Sequence, residues 1–203
     1  TFRTYDKYFV LNLAQHFDRL EETSRLTWKP IHLNRTAIQK TIVDVLKDVP
    51  TAEARVRLSV DLSINPGELY LSTEEFSPIA KETYEKGVDT ATTQIRRANP
   101  QAKLNRFLSQ ADALRRSEKK DVEEYLMLNE NREILEGLSS NFFAIIDGEI
   151  FTANEGVLSG TTRKFIIDVA HEAGIPVHYR PVSIFELRKT QEAFISSTSR
   201  SIL

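Results

Sequence analysis

The sequence predicts an α+β protein in two parts. Hairpin signals, in which turn residues separate alternating apolar runs, recur along the chain and are interleaved with amphipathic helical stripes. The 203 residues are enough for two small domains, each with its own core. A composition of 40% hydrophobic and 28% charged residues is that of a water-soluble globular chain.

Each element follows from local pattern. Phe2 to Leu11 carries alternating aromatics around Tyr5-Asp6-Lys7 and reads as a hairpin. LAQHFDRLEETSRL places Leu13, Phe17 and Leu20 on one helical face. Asn34 caps a second helix running to about Val49, with Ile38, Ile42, Val45 and Leu46 inward and Pro50 as the stop. Arg55 to Ser63 alternates as a half-buried strand, Asn65-Pro66-Gly67 turns the chain, and Glu68 to Ser72 begins the return. Thr83 to Pro100 is irregular and ends in RRANP, which predicts an interdomain linker at 91–101 between a small domain (1–90) and a larger one (102–203). Leu104, Phe107, Leu108, Ala111 and Leu114 form a helical stripe. Strands follow at Tyr125–Leu128 and Glu133–Leu135, and Asp147-Gly148 sits between apolar runs as a hairpin turn. A helix after Thr162 turns Ile166, Val169, Ala170 and Ala173 inward and stops at Gly174. Pro176–Val182 is another strand, Ser183 and Glu186 make a capping box, and Ala193–Ser197 is a last strand. The chain begins at Thr1 without methionine and stops after a strand-like run, so it reads as a piece lacking strands at both ends.

Bulk properties exclude several classes of function. The net charge of −2 provides no basic footprint for nucleic acid. No apolar run is long enough for a membrane span, and no signal-peptide pattern is present. Cysteine is absent, which fits a reducing cytoplasm and rules out thiolate chemistry. His16, His32, His171 and His178 lack ligand spacing, so no metal site is expected.

Three segments have a polar make-up that asks for a ligand. In LSGTTR, Gly160, Thr161 and Thr162 precede a helix, where free N–H groups and the helix dipole favour an anion. The plain alternative is that a threonine only caps the helix. In SSTSRS, hydroxyls and an arginine follow a strand; a solvated loop explains them equally well. In LEGLSSNFF, Glu136 ends a strand before a glycine turn, where it is either an ordinary turn carboxylate or the acceptor for a protonated ring nitrogen.

The series E-G-x-S-S-N-x-F, a D-G hairpin, L-x-G-T-T-R and F-x-S-S-T-S resembles the fold type IV enzymes that use pyridoxal 5′-phosphate (PLP). These are the class IV aminotransferases: branched-chain and D-amino-acid aminotransferases, with aminodeoxychorismate lyases. The likeness covers most of the chain and is strongest from Lys103 to Leu203. It implies a two-domain D-amino-acid aminotransferase-like fold, with a small α/β domain and a larger pseudo-barrel domain. It assigns Lys103, in AKLNRF, to the Schiff base with PLP, and Glu136 to the pyridine nitrogen. Arg19 in HFDRL, Gly160, Thr161, Thr162 and Thr198 are assigned to the cofactor phosphate, with Ser139, Ser140 and Asn141 lining the pocket. Ser199 and Arg200 are weaker candidates for the substrate. Many relatives carry a tyrosine shortly after the lysine; here Arg106 is the polar residue in that stretch.

The resemblance implies a cytoplasmic homodimer that exchanges an amino group between an amino acid and a 2-keto acid, a branched-chain substrate being the default. A lyase releasing pyruvate is the second reading, supported by LNR after Lys103. A non-catalytic descendant that keeps the PLP fold is the third.

Overall fold

The short polar spacers between amphipathic segments let each half of the chain close on its own apolar faces. In a computed structural model of the protein, which describes residues 1–118 and 121–203, two units result, Thr1–Pro78 and Ile79–Leu203.

In the first unit, β1 (Phe2–Arg3), β2 (Ala54–Val60) and β3 (Leu69–Glu75) form an antiparallel sheet in that order. Helices α1 (Leu13–Leu26) and α2 (Arg35–Lys47) supply Phe17, Ile38, Ile42 and Leu46 to a core shared with Phe2 and Val56. Asn34 caps α2 as its sequence position predicts, its side chain accepting from Ala37 N at 3.1 Å. The turn near Asp6 also forms: Tyr5 and Phe9 exchange backbone hydrogen bonds of 2.8 and 2.9 Å. The ladder partner of β1, however, is β2 rather than the residues after the turn. Burial accounts for this: Phe2 is inside, whereas Tyr8 and Phe9 remain exposed.

The second unit contains α3 (Lys81–Lys86), β4 (Thr90–Thr93), α4 (Asn105–Glu118), β5 (Glu124–Leu128), β6 (Glu133–Gly137), β7 (Asn141–Ile146), β8 (Glu149–Phe151), α5 (Thr161–Glu172), β9 (Val177–His178), β10 (Val182–Ser183), β11 (Glu192–Ser197) and β12 (Ser201–Ile202). The sheet runs β12-β11-β7-β6-β5-β4, with β10 joined to β6 and β8 bridging β7 and β9. The unit boundary falls at Pro78 and not in 91–101. Thr90–Thr93 pairs in parallel with Glu124–Met127, so α4 is the crossover of a β–α–β unit. A four-residue strand of threonine and alanine has no apolar alternation to announce it.

β5 is buried on both faces, and its side chains divide between two cores. Leu126 and Leu128 pack with Ile134, Phe142 and Ile195, while Tyr125 and Met127 pack under Phe107 and Ala111 of α4. On α5 the buried stripe is Arg163, Ile166, Ile167 and Ala170. Val169 and Ala173, expected inside, are exposed, because the stripe starts at Arg163 and is rotated accordingly. The expected strand at Pro176–Val182 is interrupted and survives as β9 and β10. Of the expected Ser183–Glu186 box one half forms: Glu186 accepts from Ser183 N at 3.0 Å, whereas Ser183 Oγ accepts from Phe185 N at 3.1 Å rather than from Glu186 N, and a 3₁₀ turn follows at Glu186–Lys189.

Phe143 is fully buried against α5 and stacks on Phe194 at 4.8 Å. Phe143→Ala is expected to destabilise the fold by about 3–5 kcal/mol, read as a lower urea midpoint; a loss below about 1 kcal/mol would refute this packing.

Candidate active site

The site is built around a carboxylate. Glu136 is the penultimate residue of β6 and stands opposite Asn141 at the start of β7. The four residues between them form a tight turn, closed by Gly137 N donating to Ser140 O at 2.9 Å. A Cβ on Gly137 would lie 2.2 Å from Ser140 Oγ, so the turn has room only for glycine. The Glu136 side chain is 1% exposed. Arg97 Nε donates to its Oε1 at 2.8 Å. Asn141 Nδ2 and Leu158 N donate to its Oε2 at 3.1 and 3.0 Å. Arg97 also donates to Leu138 O at 3.0 Å and lies 3.8 Å above the Phe107 ring. Burial pushes the Glu136 carboxyl up to about 7, against the opposing pull of Arg97 and the Leu158 N–H. Arg97 was hidden in the sequence as one of two adjacent arginines in the predicted linker.

The same asparagine positions the start of α5. Its amide donates to Leu158 O at 2.7 Å, and a Cβ on Gly160 would lie 2.2 Å from its Oδ1. Gly160 is the N-cap and makes no side-chain cap, so neither Thr161 nor Thr162 is consumed in capping. Thr161 Oγ1 lies 3.5 Å from Thr198 Oγ1, which arrives from the loop after β11. Ser196 pairs with Asn141 across the sheet, and its buried Oγ makes no hydrogen bond. Arg163, the last residue of LSGTTR, turns inward and donates to Ala153 O at 2.9 Å. Burial lowers its pKa. A cavity of about 280 Å³ borders Arg96, Arg97, Met127, Leu135 and Gly156, beside the Glu136 hub.

A second buried carboxylate, Glu124 at the start of β5, gives no signal in the sequence. It is fully buried and accepts from Ser139 N, Ser139 Oγ and Ser140 Oγ at 3.1, 2.7 and 3.0 Å. Arg200 Nη1 reaches it at 3.0 Å and Arg115 Nη2 at 3.3 Å. Burial alone would raise its pKa, but Arg200, Ser139 and Arg115 overturn that and hold it below the ordinary value. Ser139 and Ser140 therefore serve Glu124. Arg200 is engaged by Glu124 and by Glu123, at 2.9 Å.

Thus Glu136, Asn141, Gly160, Thr161 and Thr198 form one connected group. Thr162 sits in the same first turn of α5, and Ser199 in the Thr198 loop. Lys103 is exposed, between buried Ala102 and the start of α4; Arg106 is exposed on α4. Arg19 belongs to the first unit, on α1, with Glu22 at 3.5 Å and a largely buried side chain.

The donor set fits PLP. Uncapped N–H groups at α5, the converging Thr161 and Thr198 hydroxyls and the orphan Ser196 hydroxyl suit a phosphate ester. Glu136 receives three donors, and a carboxylate has about four acceptor positions, which leaves one for a pyridinium N–H.

Comparison with known proteins agrees. The family model for amino-transferase class IV matches residues 1–203, and the chain belongs to that family of PLP-dependent enzymes. A Thermotoga maritima protein named "Probable branched-chain-amino-acid aminotransferase" is 29% identical, over 100% of this chain and 74% of its own. A crystal structure provisionally named a 4-amino-4-deoxychorismate lyase superposes with a TM-score of 0.85 at 20% identity, covering 100% of this chain and 80% of the other. A Brucella abortus aminotransferase, solved bound to PLP, gives a TM-score of 0.78 at 22% identity over 100% of this chain and 77% of its own. The fold type IV architecture is thereby established. Among the described residues no helix is long and apolar enough to cross a membrane.

Gly160→Ala is expected to displace Asn141 and weaken PLP binding at least tenfold by spectroscopic titration, about 1.4 kcal/mol; unchanged affinity would refute the close approach. A second expectation concerns pH. With its pKa raised from 4.5 to about 7, Glu136 binds more protons in the folded state across that window. Its contribution to stability is full below about 4.5 and is lost as pH rises to about 7. Relative to Glu136→Gln, the wild type should lose stability over this range in urea titrations. Parallel curves would show that Glu136 titrates elsewhere.

Proposed function

We propose that the chain is an aminotransferase that moves an amino group between a branched-chain-like amino acid and a 2-keto acid. The observation that carries this reading is the single group formed by Glu136, Asn141, Gly160, Thr161 and Thr198, a carboxylate and a phosphate cup joined through one asparagine. Bound PLP supplies an electron sink that allows the Cα–H bond of an amino acid to break. The protein's part is to hold and orient. Thr161, Thr162, Thr198 and the α5 N–H groups would fix the phosphate. Glu136, ionised above about pH 7, keeps a proton on the ring nitrogen. Lys103 would hold the cofactor through its amine and would serve as the base for the Cα proton. The branched-chain preference comes from the names of relatives, and no pocket residue is assigned to it. Family resemblance supports a cytoplasmic homodimer, and a chain without cysteine is compatible with a reducing compartment.

Aminodeoxychorismate lyase chemistry is the second reading, favoured by the LNR that follows Lys103 and by the superposition on a structure provisionally given that name. Both use the same cup and lysine. They separate on the acceptor: a transaminase needs a 2-keto acid, whereas the lyase releases pyruvate without one.

The test is borohydride reduction of the PLP-loaded protein, followed by peptide mapping and an amino-donor screen. The expected result is a pyridoxyl group on Lys103 and turnover that requires a keto acid. Lys103→Ala should abolish both. An adduct on another lysine, or turnover surviving Lys103→Ala, would remove Lys103 from the reaction.

A further inference from the structure

We propose that Glu124 is a positioning residue for the phosphate cup: through Arg200 it holds the loop between β11 and β12 so that Thr198 faces Thr161 at the start of α5. This rests on the reading of that cup as the PLP phosphate site.

A fully buried glutamate needs compensation for lost hydration, and Glu124 is surrounded by it. Its Oε1 accepts from Tyr125 N at 3.1 Å and Arg115 Nη2 at 3.3 Å. Its Oε2 takes the two serines and Arg200. Glu124 makes no hydrogen bond to Glu136 or to the cup threonines; it reaches the Glu136–Asn141 turn through Ser139 and Ser140, and the Thr198 loop through Arg200.

Arg200 is fastened on every side. Its Nε reaches Glu123 Oε1 at 2.9 Å, and its Nη2 donates to Ser139 Oγ at 2.9 Å. Its backbone N donates to Ser197 Oγ at 3.1 Å, and its carbonyl accepts from Tyr84 Oη at 2.8 Å. Thr198 lies two residues earlier, between Ser197 and Ser201, which pair across β11 and β12. The loop is therefore held to the start of β5 by the ion pairs of Arg200 with Glu123 and Glu124, and the other wall of the cup is α5. Because Thr161 and Thr198 are 3.5 Å apart, their own mutual hydrogen bond is weak, and the loop depends on an anchor elsewhere. Two acidic partners on Arg200 make it an anchor rather than a free guanidinium for a substrate carboxylate.

The test compares PLP with pyridoxal, which lacks the phosphate, by equilibrium dialysis against the full chain, its Glu124→Gln and Arg200→Gln variants and the double variant. Glu124→Gln is expected to weaken PLP by about tenfold while pyridoxal stays within about twofold. Arg200→Gln should do the same, the double variant should be no worse than either, and Arg200→Lys should recover part of the loss. Arg200, with 18% of its side chain exposed, carries the test if Glu124→Gln does not fold. Equal weakening of PLP and pyridoxal, no weakening of either, or losses that multiply in the double variant would overturn the proposal. If the unmodified chain itself fails to prefer PLP over pyridoxal, the cup is not a phosphate site and the underlying reading falls with it.

Discussion

A carboxyl group with 1% of its surface in water needs donors to replace its lost hydration, and this demand at Glu136 organises the centre of the second unit. Its three donors come from three segments of chain: Arg97 after β4, Asn141 at the start of β7, and the Leu158 amide before α5. A shift of any one segment leaves a buried charge short of a partner. The start of α5 is thereby fixed relative to the sheet. Asn141 then spends its second amide proton on Leu158 O and presses its oxygen against Gly160. The helix N-terminus stands where it does because a carboxylate two strands away must be satisfied.

The two buried glutamates show how environment divides one residue type into two roles. Glu124 has two arginines and several neutral donors, and its carboxyl is held down. Glu136 has a single hydrogen-bonded arginine, and burial wins, taking it to about 7. The first remains an anion across the ordinary pH range, as an anchor should. The second sits where its charge responds to a neighbouring proton, which suits a partner for a heterocyclic nitrogen.

Much of the fold was legible wherever periodicity and turn chemistry agree. α2 with its Asn34 cap, the strands around Asp147-Gly148 and the Glu186 contact to Ser183 N follow from a few residues each. What escaped was set by distant partners. β4 exists because β5 offers it a ladder, and β1 pairs with β2 because Phe2 needs the core. At the site, Arg97 and Glu124 had no signature: an arginine in a linker-like run and a glutamate opening an apolar strand look like surface residues until burial and partners are known. Ser139 and Ser140 stood in the right motif but serve the other carboxylate.

The spacing of the glutamate motif is itself a geometric statement. Four residues between Glu136 and Asn141 leave the two residues directly opposite each other, with their side chains on one face of adjacent strands. Deleting one residue would place the asparagine on the opposite face, since side chains alternate along a strand, and both the carboxylate and α5 would lose their link. Ser196 extends the row by its register with Asn141. Such a motif is recognisable in a sequence because each position answers to a neighbour at fixed separation. Lys103 is exposed beside buried Ala102, and no pattern in its own segment of sequence singles it out. A reactive amine needs only reach and a proton balance, and many sequences provide that.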